Sequence, residues 1–361
     1  MDKSIMIIES RKPKAESRKP KAESRTHYFD FLRVTACFSV IVLHVAAFNW
    51  YSLDVRSFEW QVLNFYDGLV RFGVSMFVMI SGALFLNPEK NIPIRKLYTK
   101  YIFRIVTAFA FWSLVYMFLG GMKNINAISF IENFLSGSYH MWFMYLIIGL
   151  YMIVPFVRKI AHSEDLTKYF FVLALIFTFI LPETAKGMSL FSERYREFLS
   201  GRIDALNLYF IAGHTCYFLL GYFLDRVHIS SKIERMIYFA GIAGTIIIPL
   251  ASGYISVLRN KPTGVFGSFS VTVLCESAAL FIFFRKYFNW ESKAIRNLSQ
   301  YSFGAYLVHP AIIAAFNNLG LNTLTFNPVL SVPVISVIVF IISSGISAVL
   351  NHIPVLKKYI V

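Results

Sequence analysis

The sequence predicts an all-α, polytopic membrane protein with about ten transmembrane helices and both termini on the cytoplasmic side. Three observations carry that prediction. First, 57% of the 361 residues are hydrophobic and only 15% are charged, where a soluble domain carries roughly 25% charged residues. Second, apolar runs of the length needed to cross a hydrocarbon core, about 20 residues, recur along the chain. Third, Lys and Arg are spread unevenly over the segments that join those runs.

The runs fall at about 29–49, 67–87, 101–121, 140–157, 169–182, 206–224, 235–255, 268–284, 299–317 and 329–350. Several are short or interrupted by Pro155, Pro182 and Pro310. With the N-terminus inside, 24 of the 35 Lys and Arg residues lie in inner segments and 8 in outer loops. The other three, Arg33, Arg71 and Arg104, lie within spans. Basic residues concentrate on the cytoplasmic side of membrane proteins, so this bias predicts N-in, C-in and an even number of spans. It also accounts for most of the formal charge of +15 without a nucleic-acid partner.

Residues 1–27 are polar and are expected to form a disordered basic cytoplasmic tail. Within them, "SRKPKAESRKPKAESR" repeats a seven-residue unit rich in Lys, Arg, Glu and Pro. Such a segment has too little apolar surface to build a core. Residues 28–361 are expected to form one membrane domain. No cleavable N-terminal signal is expected, because the first apolar run is long and aromatic. The three cysteines, Cys37, Cys216 and Cys275, sit in apolar runs without metal-ligand spacing, so no metal is expected.

The first span carries an unusual polar load: Asp30, Arg33, Cys37 and His44 in "YFDFLRVTACFSVIVLHVAAFNW". Eleven residues of helix turn about 20° past three full turns, so Arg33 and His44 share a face, about 16 Å apart along the axis. Charges at membrane depth are costly and face a protein interior or a wet cavity. Each residue alone has a plainer reading: Arg33 reaching lipid phosphates, His44 bonded to a neighbouring backbone. Two such costs along one line point to one shared cavity.

Other polar residues join them. Glu276 lies mid-span in the eighth run. His309 lies in the ninth, with Ser302 seven residues before it and so on nearly the same face. His214, in the sixth run, reads as a core histidine. Arg95, Lys96, Lys100 and Arg104 stand at the inner mouth of the third run, with Lys100 and Arg104 spaced i, i+4; ordinary inner-side flanking charge is the plainer reading for Arg95 and Lys96, whereas Arg104 lies deeper. Asp67 and Arg71 share the same spacing at the outer end of the second run, where they are expected to pair. His140, Trp142 and Tyr145 open the fourth run; aromatics there usually form an interfacial belt. Gly73, Ser81 and Gly82 in "GVSMFVMISG" permit close helix approach.

Taken together, these stretches resemble the acyltransferase-3 family of integral membrane acyltransferases of bacteria. Arg33 and His44 match its first-helix pattern, and "GVSMFVMISG" its second-helix pattern ending in Ser-Gly. Lys100 and Arg104 fall where the family carries two arginines, although with a different spacing. "YHMWFMYLIIGLYMIVPFVR" and "YSFGAYLVHP" resemble two further family segments. The resemblance implies a multi-pass protein of the bacterial cytoplasmic membrane. It would transfer an acyl group, usually acetyl, from acyl coenzyme A to a hydroxyl of a cell-surface or lipid-linked saccharide.

On that reading Arg33, Lys100 and Arg104 hold the cofactor phosphates, and Ser81 and Ser302 line its path. His44 is the general base on the acceptor or forms a transient acyl-histidine, and Glu276 orients it or pairs with an arginine. Arg71, His140, Trp142, Tyr145 and His309 are candidates for the acceptor. Acetyl-CoA or another acyl-CoA is the expected co-substrate, entering from the cytoplasm; the saccharide arrives at the outer side. A transporter or flippase of a lipid-linked sugar would also combine many spans, intramembrane charges and outer aromatics.

Overall fold

A computed structural model describes residues 26–90, 92–121, 126–188, 191–208, 210–211, 213–264 and 267–361. The repeat at 10–25 lies outside the described residues. Among those described, the regular structure is helical, with no strand. The chain runs through α1 (Tyr28–Ala47), α2 (Phe58–Leu69), α3 (Phe72–Phe85) and the single turn α4 (Ile94–Lys96). A π-helical turn over Leu97–Ile102 leads into α5 (Phe103–Leu119), followed by α6 (Ala127–Ser136), α7 (Trp142–Ala161) and α8 (Glu164–Ala174). A second π-helical stretch, Leu175–Ile180, continues into α9 (Leu181–Met188), then α10 (Glu193–Asp204) and α11 (Thr215–Arg226). The long α12 (Ser231–Arg259), α13 (Val271–Tyr287), α14 (Lys293–Asn318) and α15 (Pro328–His352) precede the short α16 (Pro354–Tyr359).

Among the described residues, seven helical stretches are long and apolar enough to cross a membrane, and the protein is an all-α polytopic membrane protein. Three of the ten expected runs are shorter or more polar than that. Within the run at 206–224, α11 begins only at Thr215 and has 12 residues. The run at 268–284 becomes α13, with 17 residues. The run at 299–317 lies within α14, which is long but carries Ser299, Ser302 and His309 on buried positions. A helix enclosed by other helices need not present an apolar surface all round.

The outer surface shows the bilayer as solvent. Along α12, Phe239, Ile242, Ile246, Leu250, Tyr254 and Leu258 are exposed, Phe239 to 75%. Steps of three and four residues put them in one stripe. The opposite face buries Gly241, Gly244, Ile248 and Ser252. An apolar stripe of that length is rare on a monomeric soluble protein.

Inside, small residues set the helix spacing, as expected where apolar burial gives no gain over lipid. A Cβ added at Gly82 would lie 1.7 Å from the Phe218 carbonyl oxygen, and one at Gly221 2.0 Å from that of Met79. Glycine therefore lets α3 and α11 cross backbone to backbone. Helix starts are capped by Ser57, Ser163, Ser230, Ser270 and Ser292, whose hydroxyls accept from the amide three residues on. Such caps satisfy donors that the first turn leaves open. At the chain's far end, Thr107 and Trp112 of α5 donate to the carbonyls of Tyr359 and Ile360, at 2.9 and 3.3 Å.

The helix with the polar face, α1, sits at the centre and packs against α2, α3, α14 and α15. Its polar side chains are thereby turned toward protein.

Candidate active site

Three contacts join α1 to α14. Ser299 Oγ donates to Asp30 Oδ1 at 2.7 Å, Cys37 Sγ to the Ser302 carbonyl at 3.4 Å, and His44 Nδ1 meets His309 Nε2 at 2.7 Å. Residue numbers rise together on both helices, so α1 and α14 run parallel. Cys37 and His44 are seven apart, and so are Ser302 and His309; two turns on each helix bring matching faces back into contact.

The histidine pair is the centre of a buried aromatic cluster. The two rings are nearly coplanar, 6° apart, with centroids at 5.0 Å. Tyr139 stands edge-on to His44, and His140 edge-on to His309, with centroids at 5.1 and 5.4 Å. Tyr116 and Tyr306 flank His140, and the Tyr306 hydroxyl donates to its carbonyl. His309 is fully enclosed, whereas His44 is half-buried. Of the pair, only His44 can meet a reactant without rearrangement.

Behind the pair, His309 Nδ1 sits 2.6 Å from the Tyr306 carbonyl oxygen. In a regular helix that carbonyl would take its bond from the amide of residue 310. Residue 310 is proline, has no N–H, and lies inside α14. Proline thus frees an acceptor one turn below the imidazole that uses it.

Arg71 stands between α2 and α3, bonded to the buried Asp67. It lies within electrostatic range of His44. A positive charge is therefore held at the same end of α1 as His44.

The other end of α1 carries a different chemistry. Arg33 is 3.4 Å from Asp30. Arg33 and Arg104 both act on Tyr151 electrostatically, and Ser81 lies beside the Tyr151 hydroxyl. Arg104 faces the Phe303 ring at 5.9 Å and donates to the Val361 carbonyl. A cavity of about 530 Å³ opens here, lined by Lys100, Arg104, Lys357 and Lys358 together with Thr99, Phe103, Pro354 and Tyr359.

The expected site residues thus divide into two groups and some outliers. His44, His309, His140 and Arg71 gather at one end; Arg33, Arg104, Lys100 and Ser81 gather toward the other. Ser302 lies between them, but its hydroxyl donates to the Ser299 carbonyl of its own helix at 2.8 Å. Glu276 is not beside His44: it is buried between α12 and α13, where Thr245 Oγ1 donates to it at 3.2 Å. Tyr145 directs its hydroxyl to the Leu135 carbonyl at 2.6 Å and its ring to Phe109, and so anchors α6. Trp142 is half-exposed next to His214, away from the histidine pair. His214 itself packs among Trp142, Tyr217 and Phe269.

Sequence reasoning missed Tyr139, Tyr151, Tyr306, Lys357 and Lys358. Tyr306 had one usable signal, its position four residues before Pro310. The two lysines gave none beyond their charge. Among the described residues, no group of three His, Cys, Asp or Glu side chains is placed to hold a metal.

Residues 26–348 match the family profile described as an acyltransferase domain, a span that takes in both ends of the site. The chain belongs to the acyltransferase-3 family. Acyl transfer in general follows from that membership. No curated protein and no solved structure matches the chain. The donor, the acyl group and the acceptor therefore have to be read from this member's own residues.

Proposed function

We propose that the protein transfers an acyl group, acetyl in the simplest case, from acyl coenzyme A to a saccharide hydroxyl at a bacterial cytoplasmic membrane. The single observation that carries this reading is the half-buried His44 with its Nδ1 on the sealed His309. It supplies an imidazole held in one orientation and open on its other side, as a general base requires.

In the proposed reaction the acceptor hydroxyl gives its proton to His44, and its oxygen bonds to the thioester carbonyl carbon. Negative charge collects on the carbonyl oxygen, where Arg71 stands within electrostatic range of His44 to stabilise it. The C–S bond then breaks, and the departing sulfur takes the proton from His44. The products are an ester and a free thiol, with the histidine restored.

The donor enters in this reading from the Arg33 end, taken as cytoplasmic because the Lys and Arg bias places it inside. Coenzyme A carries a pyrophosphate and a 3′-phosphate, which suit Arg33, Arg104 and the basic cavity lined by Lys100, Lys357 and Lys358. The pantetheine arm spans the distance of about 16 Å from Arg33 to His44 along α1. The acceptor comes from the His44 end, where the half-exposed Tyr139 offers a flat apolar face to a sugar ring. Glu276 and Tyr145 take no part in this scheme.

The test is the ester content of purified surface glycans, by mass spectrometry, in deletion cells complemented with wild type or His44→Ala. Esters should return with wild type and not with the variant at equal protein level. Equal ester content in deletion, variant and wild-type cells would refute the reading; sugar export lost without any change in esters would favour a transporter.

A further inference from the structure

We infer that His309 is a positioning residue: it fixes the tautomer of His44, and it can do so because Pro310 leaves the Tyr306 carbonyl open. This rests on the reading of His44 as the base.

The inference follows from the donor and acceptor capacities of three groups in a row. A carbonyl oxygen only accepts, so at 2.6 Å from Tyr306 O the Nδ1 of His309 carries the hydrogen. A neutral imidazole has one N–H, so His309 Nε2 presents a lone pair. At 2.7 Å from that lone pair, His44 Nδ1 must be the donor. The remaining nitrogen, His44 Nε2, is then a bare lone pair on the open side of the pair.

Each link has a structural cause. Without proline at 310, an amide would compete for the Tyr306 carbonyl, and His309 would have less hold on its own tautomer. His309 is fully buried with the Tyr306 and His140 rings against it, so it exchanges hydrogen bonds with no solvent. With the rings parallel to within 6°, centroids 5.0 Å apart and nitrogens 2.7 Å apart, the bond between the two histidines lies near the imidazole planes, where nitrogen lone pairs point. The logic is that of an orienting group behind a catalytic histidine, here provided by a second histidine and a backbone carbonyl in place of a carboxylate. It also gives Glu276 no role in orienting His44, consistent with its bond to Thr245.

The direct test reads the tautomer in the wild-type protein. Ring ¹⁵N shifts of histidine-labelled protein in nanodiscs, with His44→Asn used for assignment, report which nitrogen of His44 carries hydrogen. The Nδ1–H form is expected; a dominant Nε2–H form overturns the inference whether or not the protein transfers acyl groups. The kinetic test compares His309→Leu, which removes the acceptor, with His309→Gln, whose amide can accept from His44 and donate to Tyr306. Turnover should fall by about 10²- to 10⁴-fold in His309→Leu, the usual worth of a positioned base, and recover to within about tenfold in His309→Gln. His44→Ala/His309→Leu should be no slower than His44→Ala alone. Full turnover in His309→Leu, or a double variant slower than His44→Ala, overturns it. Loss of acyl transfer in His44→Ala with the Nδ1–H form present supports both readings; unchanged transfer in His44→Ala sinks the base assignment and leaves the tautomer result standing.

Discussion

Replacing Lys357 and Lys358 by glutamine asks whether the basic cavity at the Arg33 end holds the donor. The cavity of about 530 Å³ presents Lys100, Arg104, Lys357 and Lys358. Among the described residues none of the four forms an ion pair with an Asp or Glu side chain, and Arg104 donates to the Val361 oxygen. Like charges gathered around one cavity repel one another, and a polyphosphate would relieve that repulsion. The two lysines are exposed, so their effect belongs to the high-dielectric regime: about 1 kcal/mol for unit charges near 4 Å. Removing both should weaken coenzyme A binding by about 2 kcal/mol, a factor of about 30. The effect should shrink at high salt, because screening acts over about 8 Å at physiological ionic strength. Titration calorimetry of the purified protein in neutral-lipid nanodiscs, at low and high salt, measures both quantities. Equal affinity for wild type and the double variant at low salt would refute the phosphate assignment. Retention of anionic phospholipid lost in the variant, with coenzyme A affinity intact, would reassign the cavity to lipid.

Further outcomes follow from the packing and the site. Arg33→Ala and Arg104→Ala should each weaken acyl-CoA binding by about tenfold, as loss of one charge-assisted contact predicts; unchanged dissociation constants would separate these residues from the donor. Gly82→Ala should cost at least about 3 kcal/mol, the upper end for overpacking, because the added methyl would meet the Phe218 carbonyl at 1.7 Å. A melting temperature equal to wild type would contradict the close α3–α11 crossing. Glu276→Gln keeps an acceptor for Thr245 and should alter stability by only about 1 kcal/mol, with acyl transfer retained; a dead but folded variant would return Glu276 to the mechanism.

Much of the fold was legible because lipid imposes a simple rule on sequence. Runs long enough to span, and basic residues between them, announced the helices. α14 carries Ser299, Ser302 and His309 because those positions face α1 and not lipid. The polar face of α1 was legible from the rotation between Arg33 and His44. Its partner was not, because the period of one helix says which face is polar and nothing about which helix meets it. For the same reason Glu276 could be flagged as a buried carboxylate but not assigned to Thr245. The heptad match between Cys37 and His44 on one helix and Ser302 and His309 on another was present in the sequence. Lys357 and Lys358 could not be placed, since surface lysines next to a span are expected everywhere on the inner side.

The most direct measurement of the central claim is thiol release in proteoliposomes supplied with acetyl-CoA and a glycan acceptor, for wild type and His44→Ala at equal incorporation. Acceptor-dependent free coenzyme A from wild type, and none above background from the variant, is the predicted result. Equal release from both, or acceptor movement across the bilayer with the thioester left whole, would contradict it.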